Sequence, residues 1–123
     1  MLRVMSENRG NAIIFRCSGR IVAGEKAWTL YNNVILQRAR RVIVLDLTGV
    51  SRIDAGGLGM LVALKHWVRV ADAKLRLVPS PAVQELLDLT GLSSQFEIRP
   101  SVSASNLPAD LPEDRASVMA AND

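Results

Sequence analysis

The chain has 123 residues, 49% hydrophobic and 22% charged, with a formal net charge of +3. That suits one domain able to bury roughly two-thirds of its unfolded surface. It excludes wholesale disorder, and no apolar run approaches the ~20 residues of a membrane span, so no direct membrane insertion is expected.

Taken in chain order, the first residues, "MLRVMSENRGNAIIF", interrupt their apolar positions with Arg3, Ser6, Glu7 and Arg9. They do not form the continuous apolar centre of a secretory leader, and a cytoplasmic protein is expected. Residues 11–19, "NAIIFRCSG", predict a strand closed by a glycine turn, with an extra N-terminal strand or hairpin before it. The lone cysteine, Cys17, lies in this run. It can form neither an intrachain disulfide nor a metal cluster by itself, and a packed free thiol is expected.

Residues 23–40 predict a helix, with Ala27, Leu30, Tyr31, Val34 and Leu36 on a rough 3.6-residue stripe. The "RARR" run at 38–41 reads as its solvated end. No aromatic side chains interleave with the basic residues to stack on bases, so nucleic acid is not an expected partner. Residues 42–47, "VIVLDL", are almost wholly apolar, as in a strand buried on both faces of a sheet. A loop, "TGVSRI", and a helix over 55–72 are expected next.

Residues 74–78, "KLRLV", predict another strand. In "SPAVQELLDLTG", Ser80 is placed as helix cap, Pro81 at the first helical position and Gly91 at the stop. "QFEI" supplies a last strand. Strand and helix alternate, which predicts a helix-covered, largely parallel sheet. Residues 101–123 carry Arg115 against Asp110, Glu113, Asp114 and Asp123. With no apolar period and much Ser, Ala and Pro, they are expected to be a flexible tail, leaving residues 1–100 as the domain.

The stretch "RIDAGGLGM", residues 52–60, joins a buried strand to a helix, where ligands and partners of open α/β sheets gather. Asp54 is placed as the helix cap, accepting from the amide of Gly56 or Gly57. Two glycines in a first helical turn cost up to ~1 kcal/mol each relative to alanine, which argues for close approach of another backbone. Behind them, Lys65, Arg69 and Asp72 mark a polar stripe opposite Met60, Ala63, Trp67 and Val70. The first two turns, with Leu58, Leu61 and Val62, are apolar all round. Such a segment is either enclosed by its own domain or covered by a partner.

The motifs of catalysis fail. "GGLG" lacks the Lys-Ser/Thr pair of a phosphate loop, and Val62 stands where a dinucleotide fingerprint needs its third glycine. His66 is the only histidine, so neither a nucleophile triad nor a zinc site is supported, and a surface position is expected for it. No catalytic residue, metal or cofactor is expected.

From "VIVLDLTGVSRIDAGGLGM" through "KLRLV" and "SPAVQELLDLTGL" to "QFEI", the ordered set resembles a STAS domain, the module of sulphate-transporter tails and bacterial anti-sigma factor antagonists. The resemblance covers roughly residues 10–99. It implies a four- or five-stranded mixed, largely parallel sheet with helices packed on it. It also implies a non-enzymatic anti-sigma factor antagonist that docks a kinase-like anti-sigma factor. The expected contact surface is Asp54, Ala55, Gly56, Gly57, Leu58, Leu61 and Val62.

In regulated members of that family the residue after the aspartate is a phosphorylated serine or threonine. Here it is Ala55, which has no hydroxyl, and Val22 stands where many such members carry an aspartate. A switchless docking module is therefore expected, with Thr48, Ser51 and Ser93 as other hydroxyls near loops. The alternatives are the STAS subunit of a membrane-associated lipid-transport ATPase and a small-molecule or nucleotide sensor. The oligomeric state is left open.

Overall fold

The computed structural model describes residues 2–22, 25–37 and 41–99. The expectations for residues 38–40 and 101–123 lie outside the described residues. Strands β1 (Leu2–Arg9) and β2 (Ala12–Ile21) form an antiparallel hairpin that turns at Gly10. Strands β3 (Val42–Ile53), β4 (Lys74–Pro79) and β5 (Glu97–Ile98) then add in parallel, giving the order β1-β2-β3-β4-β5. The result is a five-stranded, mixed, mostly parallel sheet, as the alternation of elements predicts.

Three helices accompany it: α1 (Glu25–Ile35), α2 (Ala55–Val70) and α3 (Pro81–Leu89). Leu30, Val34, Leu61, Leu64, Val83 and Leu87 from these helices pack with Ile13, Leu45 and Leu77 of the sheet in one core. Each large side chain removed from water there contributes roughly 1.5–3 kcal/mol before entropy is charged against it. Cys17 belongs to the same core, as expected of a packed thiol.

Five expectations need correction. Gly19 does not close the second strand, which runs on through it to Ile21, and of "QFEI" only Glu97 and Ile98 are strand, Gln95 ending a short 3-10 turn. "TGVSRI" is not a loop: β3 continues to Ile53. Beyond Leu47 the strand turns polar because only Val50 remains fully covered, but it keeps pairing with β2 after a register shift between Arg16 and Ser18. The α1 stripe ends early, since Leu36 follows the last helical residue and is 73% exposed. Finally, α2 stops at Val70 rather than 72, and Val70 itself is 89% exposed. The chain turns at Asp72, whose φ of 57° is left-handed, while the Ala73 amide donates to the Val68 carbonyl at 2.8 Å. That pattern closes a helix and leaves the last side chains outside it.

The α3 signals are realised as read. Ser80 Oγ accepts from the Val83 amide at 3.3 Å, and Pro81 opens the helix. At its end Gly91 has φ +73°, with the Leu92 amide donating to the Leu87 carbonyl at 2.9 Å. A left-handed residue here is what glycine supplies without steric penalty.

Candidate functional site

The junction of β3 and α2 is held by three hydrogen bonds centred on Asp54. Asp54 has extended backbone angles, and its Oδ1 accepts from the Gly57 amide at 2.9 Å. Its carbonyl accepts from the Leu58 amide at 2.9 Å, and its own amide donates to the Ile21 carbonyl at 3.3 Å. Asp54 is therefore both the cap of α2 and the clasp that ties that helix to the end of β2. Of the two amides that sequence reasoning offered, Gly57 is the donor.

The small residues divide into two kinds. A β-carbon on Gly57 would lie 2.3 Å from the Ile21 carbonyl oxygen and 2.9 Å from its Cγ2. The other backbone that comes close is thus the chain's own, and Gly57 is buried. Ala55, Gly56 and Gly59 are exposed, and a β-carbon on Gly59 would meet nothing within 4 Å. These three present nearly bare helix backbone to solvent.

The expected apolar anchors are placed differently. Leu61 is fully buried and Leu58 is 7% exposed, both inside the core cluster. As partner contacts in the free protein they are corrected to core residues, because the first turns of α2 rest on the sheet and on α1. Val62 is half-buried at the edge of that core. The outward surface at this end of the molecule comprises Ala55, Gly56, Gly59 and part of Val62, with exposed Ser51 and Arg52 leading into it.

Its electrostatics are simple. No acidic residue occupies the first turn of α2, so the positive end of the helix dipole has the Asp54 carboxylate as its nearby counter-charge. Arg52 pairs in register with Arg20 across β2 and β3, and both are exposed. Around the turn, Ser51 Oγ donates to the Gly19 carbonyl at 3.2 Å. Val22 is half-buried just after β2. His66 is exposed, as a surface residue should be. Among the described residues no group of three His, Cys, Asp or Glu side chains is arranged to hold a metal.

Sequence reasoning missed an open groove lined by Thr48, Pro79, Ser80, Gln84, Ile98 and Arg99. Its polar groups are already engaged. Thr48 Oγ1 donates to Asp46 at 2.6 Å, Gln84 Nε2 donates to Asp88 at 2.9 Å, and Arg99 donates to Glu97 at 2.7 Å. Ser93, the third hydroxyl singled out in the sequence, is likewise bonded to Asp88. The groove arises where the ends of β4 and β5 and the start of α3 meet β3 just past its last pairing with β4, and no local motif announces it.

The family model for the STAS domain matches residues 3–105. The chain belongs to the STAS family. No curated protein matches it. Among solved structures, this STAS domain is similar to an anti-sigma factor antagonist from Mycobacterium paratuberculosis, with 20% identity and a TM-score of 0.72 over 100% of this chain and 96% of that one. A putative anti-sigma factor antagonist from Thermotoga maritima has 21% identity and a TM-score of 0.74, over 83% of this chain and 90% of that one. The anti-sigma factor antagonist SpoIIAA in its unphosphorylated form has 15% identity and a TM-score of 0.61 over the same shares. At these identities the likeness establishes the STAS fold. Among the described residues of the domain, no helix is long and apolar enough to cross a membrane.

Proposed function

We propose that this STAS domain is a non-enzymatic, cytoplasmic protein-binding regulator, an anti-sigma factor antagonist whose partner is a kinase-like anti-sigma factor. Docking uses the Asp54–Gly59 turn without a phosphoserine switch. The observation that carries the reading is the exposure of Ala55 and Gly56 at the capped start of α2. Gly57 beneath them is locked onto Ile21. A rigid, nearly side-chain-free helix end allows a partner's backbone to come close, and its rigidity spares the complex an ordering cost. The solved antagonists of the same fold support the partner class.

The residues divide the task between them. Asp54 holds the turn, Ala55 and Gly56 form the contact floor, Gly59 keeps the next turn open, and Val62 offers a partly exposed apolar edge. Leu58 and Leu61 support this surface from below. Ala55 at the position of the phosphorylated residue leaves the surface permanently competent.

Ala55→Glu tests the reading. The helix dipole favours an anion in a first turn by about 0.3–1 kcal/mol, so the variant folds. A docked partner has to desolvate the new charge, at a cost of several kcal/mol. Since each ~1.4 kcal/mol is tenfold in affinity, calorimetry against a purified kinase-like anti-sigma factor is expected to show binding weakened at least a hundredfold. A folded Ala55→Glu protein that binds unchanged overturns the assignment of the surface.

A further inference from the structure

Strand β3 slips against β2 just before the docking turn. The register passes from Gly19↔Val50 to Arg20↔Arg52, so Ser51 is an extra residue with none of β2 opposite it. Such a bulge re-aims the side chains that follow, and bulges recur beside functional sites. In an unbroken ladder Ser51 would face Arg20, and Arg52 would turn to the other side of the sheet. The bulge instead brings the two guanidiniums side by side, on strands ~5 Å apart.

The side they share is the one opposite the helix core. Along β2, Ile13, Phe15, Cys17 and Ile21 belong to that core, which leaves Ile14, Arg16, Ser18 and Arg20 on the other side. Arg3 pairs with Ser18 and joins them from β1, a diagonal step of roughly 7–8 Å from Arg20. Elsewhere on this side the arginines have carboxylates: Arg9 and Arg16 share Glu7, Arg16 also pairs with Asp46, and Arg76 and Arg99 share Glu97. Arg3, Arg20 and Arg52 are exposed, and among the described residues none of them has a carboxylate partner. Like charges opposite one another weaken a sheet, so the fold gains nothing from this arrangement.

We propose that Arg20 and Arg52, with Arg3 beside them, receive an acidic segment of the docking partner; the inference rests on the docking reading above. The patch is continuous with that surface. Arg20 and Arg52 immediately precede Ile21 and Ile53, and the Ile21 carbonyl is the one that accepts the Asp54 amide. Its floor is low: Ser18 and Gly49 are paired and exposed, and a β-carbon at Gly49 would stand 3.0 Å from both the Cys17 carbonyl oxygen and Ser18 Cβ. A carboxylate crossing this floor meets two planar guanidiniums that can each grip it through paired N–H groups. A lipid surface fits less well, because it calls for apolar side chains beside the bases. Met5 is the one exposed large apolar residue among the described residues of this side.

The test begins with the full chain and a probe peptide, hexaglutamate, followed by amide NMR at low salt. Saturable shifts are expected at Arg3, Arg20 and Arg52 and not at Arg41, Arg69 or Lys74, which are also exposed. Arg20→Gln with Arg52→Gln is expected to weaken the peptide at least tenfold while the urea midpoint stays at or above its original value. Shifts spread over all the exposed bases, no shifts, or a double variant that binds as before overturns the proposal. Binding to phosphatidylserine vesicles that the double substitution abolishes assigns the patch to a lipid surface and equally overturns it. Calorimetry against a purified kinase-like anti-sigma factor is then expected to show at least a tenfold loss for the double variant. The affinity of the unsubstituted chain should fall with added salt, which screens exposed charges beyond ~10 Å at 0.1 M. An anti-sigma factor that Ala55→Glu repels but the double variant binds unchanged overturns this inference and leaves the docking reading standing. An anti-sigma factor that ignores the unsubstituted chain fails the docking reading, and the peptide titration alone then upholds or overturns the acidic-segment site.

Discussion

Gly57 and Ile21 are in such close contact that a single β-carbon at position 57 would stand 2.3 Å from the Ile21 carbonyl oxygen. That oxygen also accepts the Asp54 amide, so it cannot withdraw without loosening the turn. Gly57→Ala is therefore expected to destabilise the fold by about 1–3 kcal/mol or more through overpacking, outweighing the ~1 kcal/mol that alanine gains in a helix. Gly59→Ala meets open space and should stabilise by up to ~1 kcal/mol. Urea denaturation of the two variants separates them, and equal stabilities contradict the contact.

Removal of the clasp gives a second expectation. Asp54→Ala deprives the Gly57 amide of its acceptor and should cost ~0.5–2 kcal/mol, whereas Asp54→Asn retains a capping oxygen and should lose much less. Thermal unfolding of both variants is the measurement. Similar losses in the two would mean that the carboxylate acts through its charge rather than as a hydrogen-bond acceptor.

Leu61→Ala addresses the buried first turns of α2. Because the side chain is fully enclosed, the substitution should cost ~2–5 kcal/mol of stability. Affinity per folded molecule should change by less than the ~2 kcal/mol of an interface hot spot. Stability and partner affinity measured on the same sample decide the matter: a stable variant with broken binding would put Leu61 back on the docking surface.

The Cys17 thiol makes a pH prediction. Burial first, and the Asp46 charge second, push its pKa up from 9.0 to about 12. The unfolded chain releases this proton at lower pH than the folded one does, so the stabilisation is complete below pH 9. It declines as pH rises from there towards 12, at ~1.4 kcal/mol per pH unit once the unfolded thiol is ionised. Cys17→Ala or Cys17→Ser should flatten that alkaline limb in denaturation curves recorded from pH 8 to 11. An unchanged limb would exclude the thiol as its cause.

Much of this architecture is legible in the chain because local chemistry and tertiary packing agree there. The Ser80-Pro81 start and Gly91 stop of α3 carry their own hydrogen-bond logic, and the apolar 42–47 segment sits where a doubly covered strand should. At the candidate site, Asp54 and Gly57 are readable as cap and close-approach residue. The identity of the approaching backbone is not, since Ile21 is distant in sequence and meets Gly57 through the β2–β3 pairing. Leu58 and Leu61 were ambiguous for a related reason: an all-round apolar helix start looks the same whether a partner or the sheet covers it. The polar extension of β3 to Ile53 was hidden because its pairing with β2, not its own alternation, makes it a strand.

The spatial order of the strands, β1-β2-β3-β4-β5, has a bearing on biosynthesis. Each strand pairs with the one made just before it, so a chain leaving the ribosome never has to hold a gap open for a strand yet to come. Sequential pairing of this kind keeps contacts short in sequence, which favours fast folding and domain growth from the N-terminal side. The Ile21–Asp54–Gly57 junction needs nothing beyond the end of α2 at Val70. The proposed docking end of the protein can thus take shape during translation, while β4, α3 and β5 are still to emerge.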